Sequence, residues 1–387
     1  MAHRISGQAA ICGLGMTEMG RVYRSATDLA VEAVHLALQD AGLEKSQLDG
    51  LLINCGTTRN VNLGLHRALG MKELNVLTFM QGFGSTAGQM IQYAAMAVDN
   101  GMADYIACVF ADDPLKEGKR SGDAYAGGGR PDALASLYPI YGFAGAIPMY
   151  AMGAQRHMDT YGTTQDQLGQ IAISQREWAG MNEQATKREP LDMATYHASP
   201  WVVEPFHVLD CCLVSNGGVA VIVTSAERAR DMNQPPVYIR GFAQAHNHDV
   251  GQADHDPLLV GPGQKAGPRA LAMADAKLED ITQCQLYDCY TYTVLATLED
   301  YGFCKKGEGG PFVEDGKLGP GGNLPTNTGG GELSSFYMWG MTPITEAVIQ
   351  GRGQGGMRQQ PNDLILVTGN GGILNYHSTL LLSPEAA

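Results

Sequence analysis

The sequence predicts an α/β protein built on a mostly parallel, buried sheet, and two observations lead to this fold class. Short apolar runs, each long enough for one buried strand, alternate with longer segments that have the apolar spacing of a helix. The order of glycine-rich entry, helix and buried strand occurs between residues 84 and 110 and again between 340 and 367. We therefore expect two similar βαβαβ halves.

The first half contains regular alternation of strands and helices. The helix predicted over 27–41 has Asp28 in its first turn, where a carboxylate suits the helix dipole, and Gly42 as its stop signal. Glycine and small residues from Gly84 onward open a second helix, which runs to about Asp99. The predicted strands of this half cover 9–12, 51–53, 76–79, 105–110 and 217–224, and a helix begins at 225.

A loop-rich segment from 111 to 205 interrupts this order. It contains GGGRP and YPIYG, and one polar helix is predicted from 164 to about 182. We expect an insertion that lies over the sheet as a lid. The predicted domains are 1–232, which includes this insertion, and 236–387.

The second half repeats the alternation of the first. Pro343 falls in the first turn of a predicted helix, where proline is tolerated. The predicted elements are a strand over 237–240, a strand ending at 286–288, helices over 291–301 and from 340 to near 350, and strands over 364–367 and 378–382.

The composition excludes several function classes. A formal net charge of −14 argues against a nucleic-acid partner, because phosphate binding needs surplus Lys and Arg. The longest apolar runs fall far below the ~20 residues that span a bilayer, and the N-terminus has no secretory pattern. Eight cysteines without a CxxC motif fit a reduced compartment. We expect a cytoplasmic protein with no membrane insertion.

Histidines and acidic residues cluster at 246–256 without a recognised zinc spacing. The cluster includes His246, His248 and His255, and a polar loop at a cavity mouth explains it better than a metal site. His377 lies in the last predicted strand, either as a base or, more simply, as a hydrogen-bonded core residue. We expect no metal.

The stretch QLYDCYTYTVL places a phenol, a carboxylate and a thiol where a buried strand meets a helix. These groups are Tyr287, Asp288 and Cys289. Such a cluster is either ordinary packing or the floor of an active site. Strand alternation points Asp288 away from Tyr287.

Several motifs together resemble the thiolase superfamily over nearly the whole chain. They are ICGLGMTEMGR, DCCLVSNGGVAVIVTSAERARDM, LYDCYTYTVLATLEDYGF, LPTNTGGGELSSFYMWGMTPITEAVIQGRGQ and LVTGNGG. The branch they resemble most is that of the sterol-carrier-protein thiolases and bacterial lipid-transfer proteins. The resemblance implies the thiolase fold, a five-layered α-β-α-β-α core.

The departures from this family fall on its catalytic positions. Ser85 stands where thiolases have the nucleophilic cysteine, and Tyr287 and Tyr337 stand where the resembled branch has histidines. The second thiolase cysteine is also absent, because the matching turn is a glycine turn ending in Gly371 and Gly372. A serine without a histidine is a poor nucleophile, so covalent acyl transfer is not expected.

Two phenols suit an aldol cleavage, in which a hydroxyl loses a proton and an enolate gains one. Thiolase-like aldolases of steroid side-chain degradation carry tyrosines at these positions. The resemblance therefore implies retro-aldol cleavage of a β-hydroxyacyl-CoA to a ketone or aldehyde and a shorter acyl-CoA. Tyr287 and Tyr337 are the expected catalytic residues, and Ser85, Gly371 and Gly372 the expected substrate-binding residues. What lowers a phenol pKa from its usual ~10 stays open.

Two alternatives to this reaction remain at this stage. One is a non-catalytic subunit that binds acyl-CoA or lipid, in which the tyrosines only pack. The other is a 3-ketoacyl-CoA thiolase with a divergent active site, using a cysteine such as Cys289.

The partners follow partly from charge and partly from the resemblance. Coenzyme A carries several phosphate charges, and the visible basic cluster consists of Lys116, Lys119, Arg120 and Arg130. The resemblance implies a homodimer and a small zinc-ribbon/oligonucleotide-binding-fold partner protein. No cofactor is expected apart from the coenzyme A of the substrate.

Overall fold

The structure is a computed structural model that describes residues 3–125, 140, 142, 145–247, 256 and 258–386. The elements up to residue 229 are β1 (Ala9–Met16), α1 (Ala26–Ala41), β2 (Gly50–Cys55), α2 (Leu65–Ala68), β3 (Val76–Phe79), α3 (Thr86–Asp99), β4 (Tyr105–Asp112), α4 (Ile147–Tyr161), α5 (Gln165–Gly180), α6 (Met193–Ala198), β5 (Trp201–Val203), β6 (Phe206–His207), β7 (Gly217–Ser225) and α7 (Ala226–Ala229). The elements that follow are β8 (Val237–His246), α8 (Gly263–Ala274), β9 (Gln283–Gln285), α9 (Thr291–Tyr301), α10 (Gly309–Phe312), α11 (Met341–Gly351), β10 (Ile365–Gly371) and β11 (Tyr376–Ser383).

Nine of these strands form a hydrogen-bonded series in the order β3-β2-β4-β7-β1-β8-β11-β10-β9. Strands of the first half occupy one end and strands of the second half the other. The two ends join through β1 and β8, where only Ala10 pairs with Tyr238 and Ile11 with Val237. The strands of each half therefore form an almost separate sheet, and only these two residue pairs join the two sheets.

The helices form three layers around the two sheets. Helix α1 packs on the outer face of β1, β4 and β7, while α8 packs on the outer face of β8 and β11. Helix α3 contacts β4 and β7 of the first half and also β10 and β11 of the second, with α11 beside it. The predicted five-layered α-β-α-β-α core is confirmed.

The sheet is mixed, so the prediction of a mostly parallel sheet is wrong. Among the described strands, parallel pairing joins β2 to β3, β2 to β4 and β9 to β10, and the other pairings are antiparallel. The last strand of each half reverses direction. For β11 the reason is local: only residues 372–375 separate it from β10, and an antiparallel pair needs no helical crossover.

Helix ends agree with the sequence signals. Ser25 caps α1 by accepting a hydrogen bond from the Asp28 N–H, and Gly42 closes the helix in a left-handed conformation, φ 75°. The polar helix predicted from Thr164 is α5, whose capping box joins Thr164 to Gln167.

Two parts of the second half differ from the prediction. The strand expected to end at 286–288 ends at Gln285, because side-chain acceptors replace its next ladder bonds: the Leu286 N–H donates to Asn327 and the Tyr287 N–H to Thr368. Helix α8 was not predicted, since its segment contains two glycines and Pro268. The feature of the sequence that indicates this helix is the four-residue spacing of alanines at 266, 270 and 274, which are buried on one helix face.

Glycines allow the backbones of the two halves to touch at the centre of the molecule. A Cβ atom at Gly340 would lie 2.3 Å from the Gly84 carbonyl oxygen, and one at Gly371 would lie 2.1 Å from the Gly82 carbonyl oxygen. Real Cβ contacts are essentially never this short, so a side chain at either position would push the halves apart.

The described helices include none long and apolar enough to cross a membrane.

We predict that Gly371→Ala lowers the free energy of unfolding by about 1–3 kcal/mol, as overpacking against fixed backbone does. Chemical denaturation followed by circular dichroism measures the effect. Gly122→Ala is the matched control, because a Cβ there meets no atom within 4 Å. Equal stability of the two variants would contradict the close approach of the halves.

Candidate active site

The structure brings the two predicted catalytic phenols together. The hydroxyl oxygens of Tyr287 and Tyr337 lie 3.0 Å apart in a hydrogen bond, although the residues are separated by 50 positions in the chain. The Tyr287 side chain is 3% exposed, and Tyr337 is half-buried. The pair therefore lies at the boundary between the core and the surface that a substrate can reach.

Tyr287 is fixed directly after β9. Its N–H donates to Thr368 Oγ1 at 3.1 Å, and its carbonyl accepts from Thr293 Oγ1 at 3.2 Å. Its ring lies against Gly84, where a Cβ atom would be 2.3 Å from the ring carbons. The phenol thus sits in a slot that only glycine at position 84 leaves open.

Tyr337 follows a single π-helical turn, Gly331–Ser335. Such turns are rare and occur frequently at functional sites. The Tyr337 N–H donates to Ser215 Oγ at 3.1 Å, which ties it to the strand end of the first half.

Asp288 connects the two tyrosines through the backbone. Its carboxylate accepts the Glu332 N–H at 2.9 Å on both oxygens and the Leu333 N–H at 3.2 Å. Because β9 ends at Gln285, Asp288 lies beyond the strand, and these backbone donors rather than strand alternation fix its carboxylate. Burial raises the pKa of Asp288 to about 7, against the lowering effect of these donors. Asp288, which follows Tyr287 in the chain, thus holds the turn that precedes Tyr337.

Both phenols are strongly held in the neutral form. Burial raises the pKa of Tyr287 and of Tyr337 well above the usual value, and negative charge on Glu332 would raise both further. The hydrogen bond from Tyr337 lowers the pKa of Tyr287 but does not offset burial. Neither phenol is a phenolate near neutral pH, so the lowered pKa sought in the sequence is not found.

Ser85 is buried immediately before α3 and has no histidine partner among the residues that the structure describes. Its hydroxyl donates to the Gly82 carbonyl at 2.6 Å and accepts from Gln89 Nε2 at 3.1 Å. These bonds close the turn that enters the helix. The hydroxyl is therefore engaged in local structure and has no base to activate it.

Gly371 and Gly372 lie at the end of β10, across from the turn that contains Ser85. Gly372 begins a left-handed run that continues through Ile373 and Leu374, with φ of 58°, 59° and 64°. Two consecutive non-glycine residues in this region are unusual and mark a constrained turn. The structure thus places the three predicted substrate-binding residues around one junction.

The thiols near the phenols are not thiolates. Burial raises the pKa of Cys289 and of Cys212 well above the usual value, and negative charge on Asp288 or Glu332 would raise both further. A thiolase nucleophile needs the opposite shift. This environment argues against the thiolase alternative.

His377 is a buried core residue. Nδ1 hydrogen-bonds to Asn370 Oδ1, and Nε2 lies 2.8 Å from the Tyr301 hydroxyl. Burial lowers its pKa to about 3, so the ring is neutral. Its hydrogen bond fixes the side chain of Asn370, which directly precedes Gly371 and Gly372.

The predicted coenzyme A cluster is only partly visible. Lys116 pairs with Asp113 at 3.1 Å, while Lys119 and Arg120 are exposed. Arg130 lies outside the described residues.

The structure describes only part of the histidine-rich stretch at 246–256. His246 is exposed and hydrogen-bonds to Gln244, and His248 and His255 lie outside the described residues. Within the part of the chain that the structure describes, no group of metal-ligating side chains occurs.

Sequence reasoning missed Glu332. Its side chain is 0% exposed, and neither carboxyl oxygen has a hydrogen-bond partner among the described residues. The signal was present: Glu332 is the one charged residue between Lys317 and Glu346 in the sequence. An isolated acid in a glycine-rich, apolar stretch deserves inspection as a site residue.

Comparison with known proteins gives relatives along nearly the whole chain. A family model described as "Thiolase C-terminal domain-like" matches residues 243–384. The "Steroid side-chain-cleaving aldolase" of Thermomonospora curvata is 37% identical over 382 residues, covering 95% of this chain and 96% of the relative. The "17-hydroxy-3-oxo-4-pregnene-20-carboxyl-CoA lyase" of Mycobacterium tuberculosis is 36% identical over 381 residues, covering 95% and 98%.

The fold comparison agrees with the sequence comparison. A solved structure titled "Ltp2-ChsH2(DUF35) aldolase" superposes with a TM-score of 0.87 at 34% identity, covering 98% of each chain. With these similarities, the chain belongs to the thiolase superfamily and, within it, to the acyl-CoA carbon–carbon lyases.

Proposed function

We propose that this lyase performs retro-aldol cleavage of a β-hydroxyacyl-CoA, using Tyr287 and Tyr337 in place of the thiolase cysteine and histidine set. The products are a ketone or aldehyde and a shorter acyl-CoA. The observation that carries this proposal is the 3.0 Å hydrogen bond between the two phenol oxygens.

The reaction moves one proton and breaks one carbon–carbon bond. The β-hydroxyl loses its proton and becomes a carbonyl, and the electron pair of the Cα–Cβ bond passes into the thioester enolate. A proton then reaches Cα. The protein gains and loses no proton overall. The site therefore needs a path that carries a proton from the β-hydroxyl oxygen to Cα, rather than a strong base.

A pair of neutral phenols provides such a path. Each hydroxyl both donates and accepts a hydrogen bond. One phenol accepts the proton of the substrate hydroxyl as it passes its own to the second, and the second delivers a proton to Cα. Because charge does not accumulate on either phenol, the raised pKa values of both tyrosines are compatible with this relay.

The names of the relatives favour a steroid side chain as the acyl group. Both curated relatives above are named for cleavage of steroid-derived substrates. We therefore propose a steroid side-chain β-hydroxyacyl-CoA as substrate, with coenzyme A as part of the substrate and no further cofactor. Release of a shorter acyl-CoA without added free coenzyme A separates this lyase from a binding subunit.

The exposed edge of the first sheet supports a homodimer. Strand β3 ends the series of strands, and Leu77 and Phe79 on it are 37% and 39% exposed. Large exposed apolar side chains on an edge strand indicate a surface that pairs with another chain. We propose a homodimer in which two copies of β3 meet across a two-fold axis.

We also propose a small zinc-ribbon/oligonucleotide-binding-fold partner. The structural relative is named together with a second component, ChsH2(DUF35). The chain carries a net charge of −14, whereas coenzyme A phosphates favour a basic site. A partner protein that supplies part of the acyl-CoA channel resolves this mismatch.

The first prediction from this proposal concerns the phenols. Tyr287→Phe and Tyr337→Phe should each lower kcat by ~10²-fold or more, because each removes one step of the proton path. Ser85→Ala should cost much less, since Ser85 has no base. The measurement is release of shortened acyl-CoA, with the exposed Tyr23→Phe as control. Full loss in Ser85→Ala with activity kept in both Phe variants would reverse the assignment.

The second prediction concerns Asp288. As pH falls through its pKa of about 7, protonation removes the negative acceptor that holds the turn before Tyr337. Turnover should therefore fall on the acid side of pH 7. Asp288→Asn should lower kcat about tenfold and flatten this acid limb, because an amide accepts these bonds weakly and does not titrate. A wild-type profile that stays flat from pH 5.5 to 8.5 contradicts this role.

The third prediction concerns the dimer. Leu77→Lys combined with Phe79→Lys should convert the protein from dimer to monomer, because two charges at the edge oppose strand pairing. Light scattering coupled to gel filtration measures the mass. Met102→Lys, at a residue that is 50% exposed outside β3, is the control. A double variant that stays dimeric places the interface elsewhere.

A further inference from the structure

Glu332 is a buried acid in the π-helical turn that precedes Tyr337. Its N–H donates to Asp288 at 2.9 Å, and its carbonyl accepts the Leu213 N–H at 2.9 Å. The backbone is thus fixed on both sides. Both side-chain oxygens nevertheless lack a hydrogen-bond partner among the described residues.

The groups that face Glu332 are themselves acids. Negative charge on Glu332 would raise the pKa of three phenols and two thiols, which belong to Tyr150, Tyr287, Tyr337, Cys212 and Cys289. Burial raises the pKa of Glu332 itself, and the charge of Asp288 raises it further. Salt bridges in the described part of the chain do not include Glu332. An ionised Glu332 would have no compensation.

Glu332 and Asp288 are two buried carboxyls with opposite environments. Asp288 accepts hydrogen bonds from two backbone N–H groups, which stabilise its charge. Glu332 has no comparable pair of donors: burial raises its pKa well above the usual value, and the Asp288 N–H lowers that pKa without offsetting burial. Environments that separate the pKa values of neighbouring acids commonly assign them different roles. Here Asp288 stabilises the turn before Tyr337, and Glu332 is a neutral acid with an O–H to donate.

A buried donor without an acceptor costs about 1–3 kcal/mol, so its partner is expected from the ligand. The proposed reaction develops negative charge on the thioester oxygen as the enolate forms. A neutral carboxylic acid in a dry site is a strong donor to such an oxygen. Tyr287 is almost as enclosed as Glu332, so substrate entry must uncover both.

We propose that Glu332, as a neutral carboxylic acid, donates a hydrogen bond to the thioester oxygen of the acyl-CoA and stabilises the enolate. This role rests on the proposed retro-aldol reaction. Glu332 keeps its proton throughout: the electron pair of the broken bond spreads onto the thioester oxygen, and the phenol pair supplies the proton to Cα.

The test compares Glu332→Gln, which keeps a donor and cannot ionise, with Glu332→Met and Glu332→Leu, which have none. The apolar variants should lose ~10²-fold in kcat, as on removal of one oxyanion donor, with thermal stability unchanged or higher. Glu332→Gln should stay within about tenfold of wild type. A merely structural residue would show no such split between stability and kcat.

A second readout does not depend on cleavage. Isotope-edited infrared spectra of propionyl-CoA labelled with carbon-13 at the carbonyl report hydrogen bonding to the thioester oxygen directly. We expect a lowered carbonyl stretch in wild type and in Glu332→Gln, and loss of that shift in the apolar variants. A shift without any cleavage would refute the proposed reaction but keep the donor.

Three results overturn the proposal. One is an equal carbonyl stretch in wild type and the apolar variants. Another is a Glu332→Gln variant that folds but is as inactive as Glu332→Met, which would mean that the carboxyl transfers its proton. The last is failure of both apolar variants to fold, which would make Glu332 structural.

Discussion

The contact of bare backbone between the two halves is the constraint on which the site depends. Gly82 and Gly84 of the first half lie against Gly340 and Gly371 of the second at distances that admit no side chain. The same approach presses Gly84 onto the ring of Tyr287 and sets the turn around Ser85 beside the end of β10. A larger residue at this junction would separate the halves and, with them, every group of the proposed site.

Local order in the sequence predicted most strands and helices, whereas the layers and the two tyrosines were predicted from the family resemblance. Apolar runs mark the strands, and glycines mark the ends of helices. The family resemblance identifies the exchanged residues at positions 287 and 337. Strand direction was missed, because pairing between distant strands leaves no periodic signal. Glu332 was missed for a similar reason: its burial results from contacts with segments far away in the chain.

The chemistry of the site differs from that of a thiolase in its charge. Thiolysis requires a thiolate, whereas here burial holds the phenols and thiols in their neutral forms. The described surroundings of the phenols therefore suit a reaction that shifts a proton without building a lasting ion. Asp288 is the exception, and its charge is satisfied by backbone N–H groups rather than by substrate.

The rigid placement of Tyr337 has a stereochemical consequence. Its backbone is tied to Ser215 and its hydroxyl to Tyr287, so in the proposed reaction the phenol would approach a planar enolate from one face only. When the reaction runs in deuterated water, the label in the released acyl-CoA would enter a single prochiral position at Cα. The hydrogen bond between the phenols would thereby decide which of the two hydrogens at Cα carries the label.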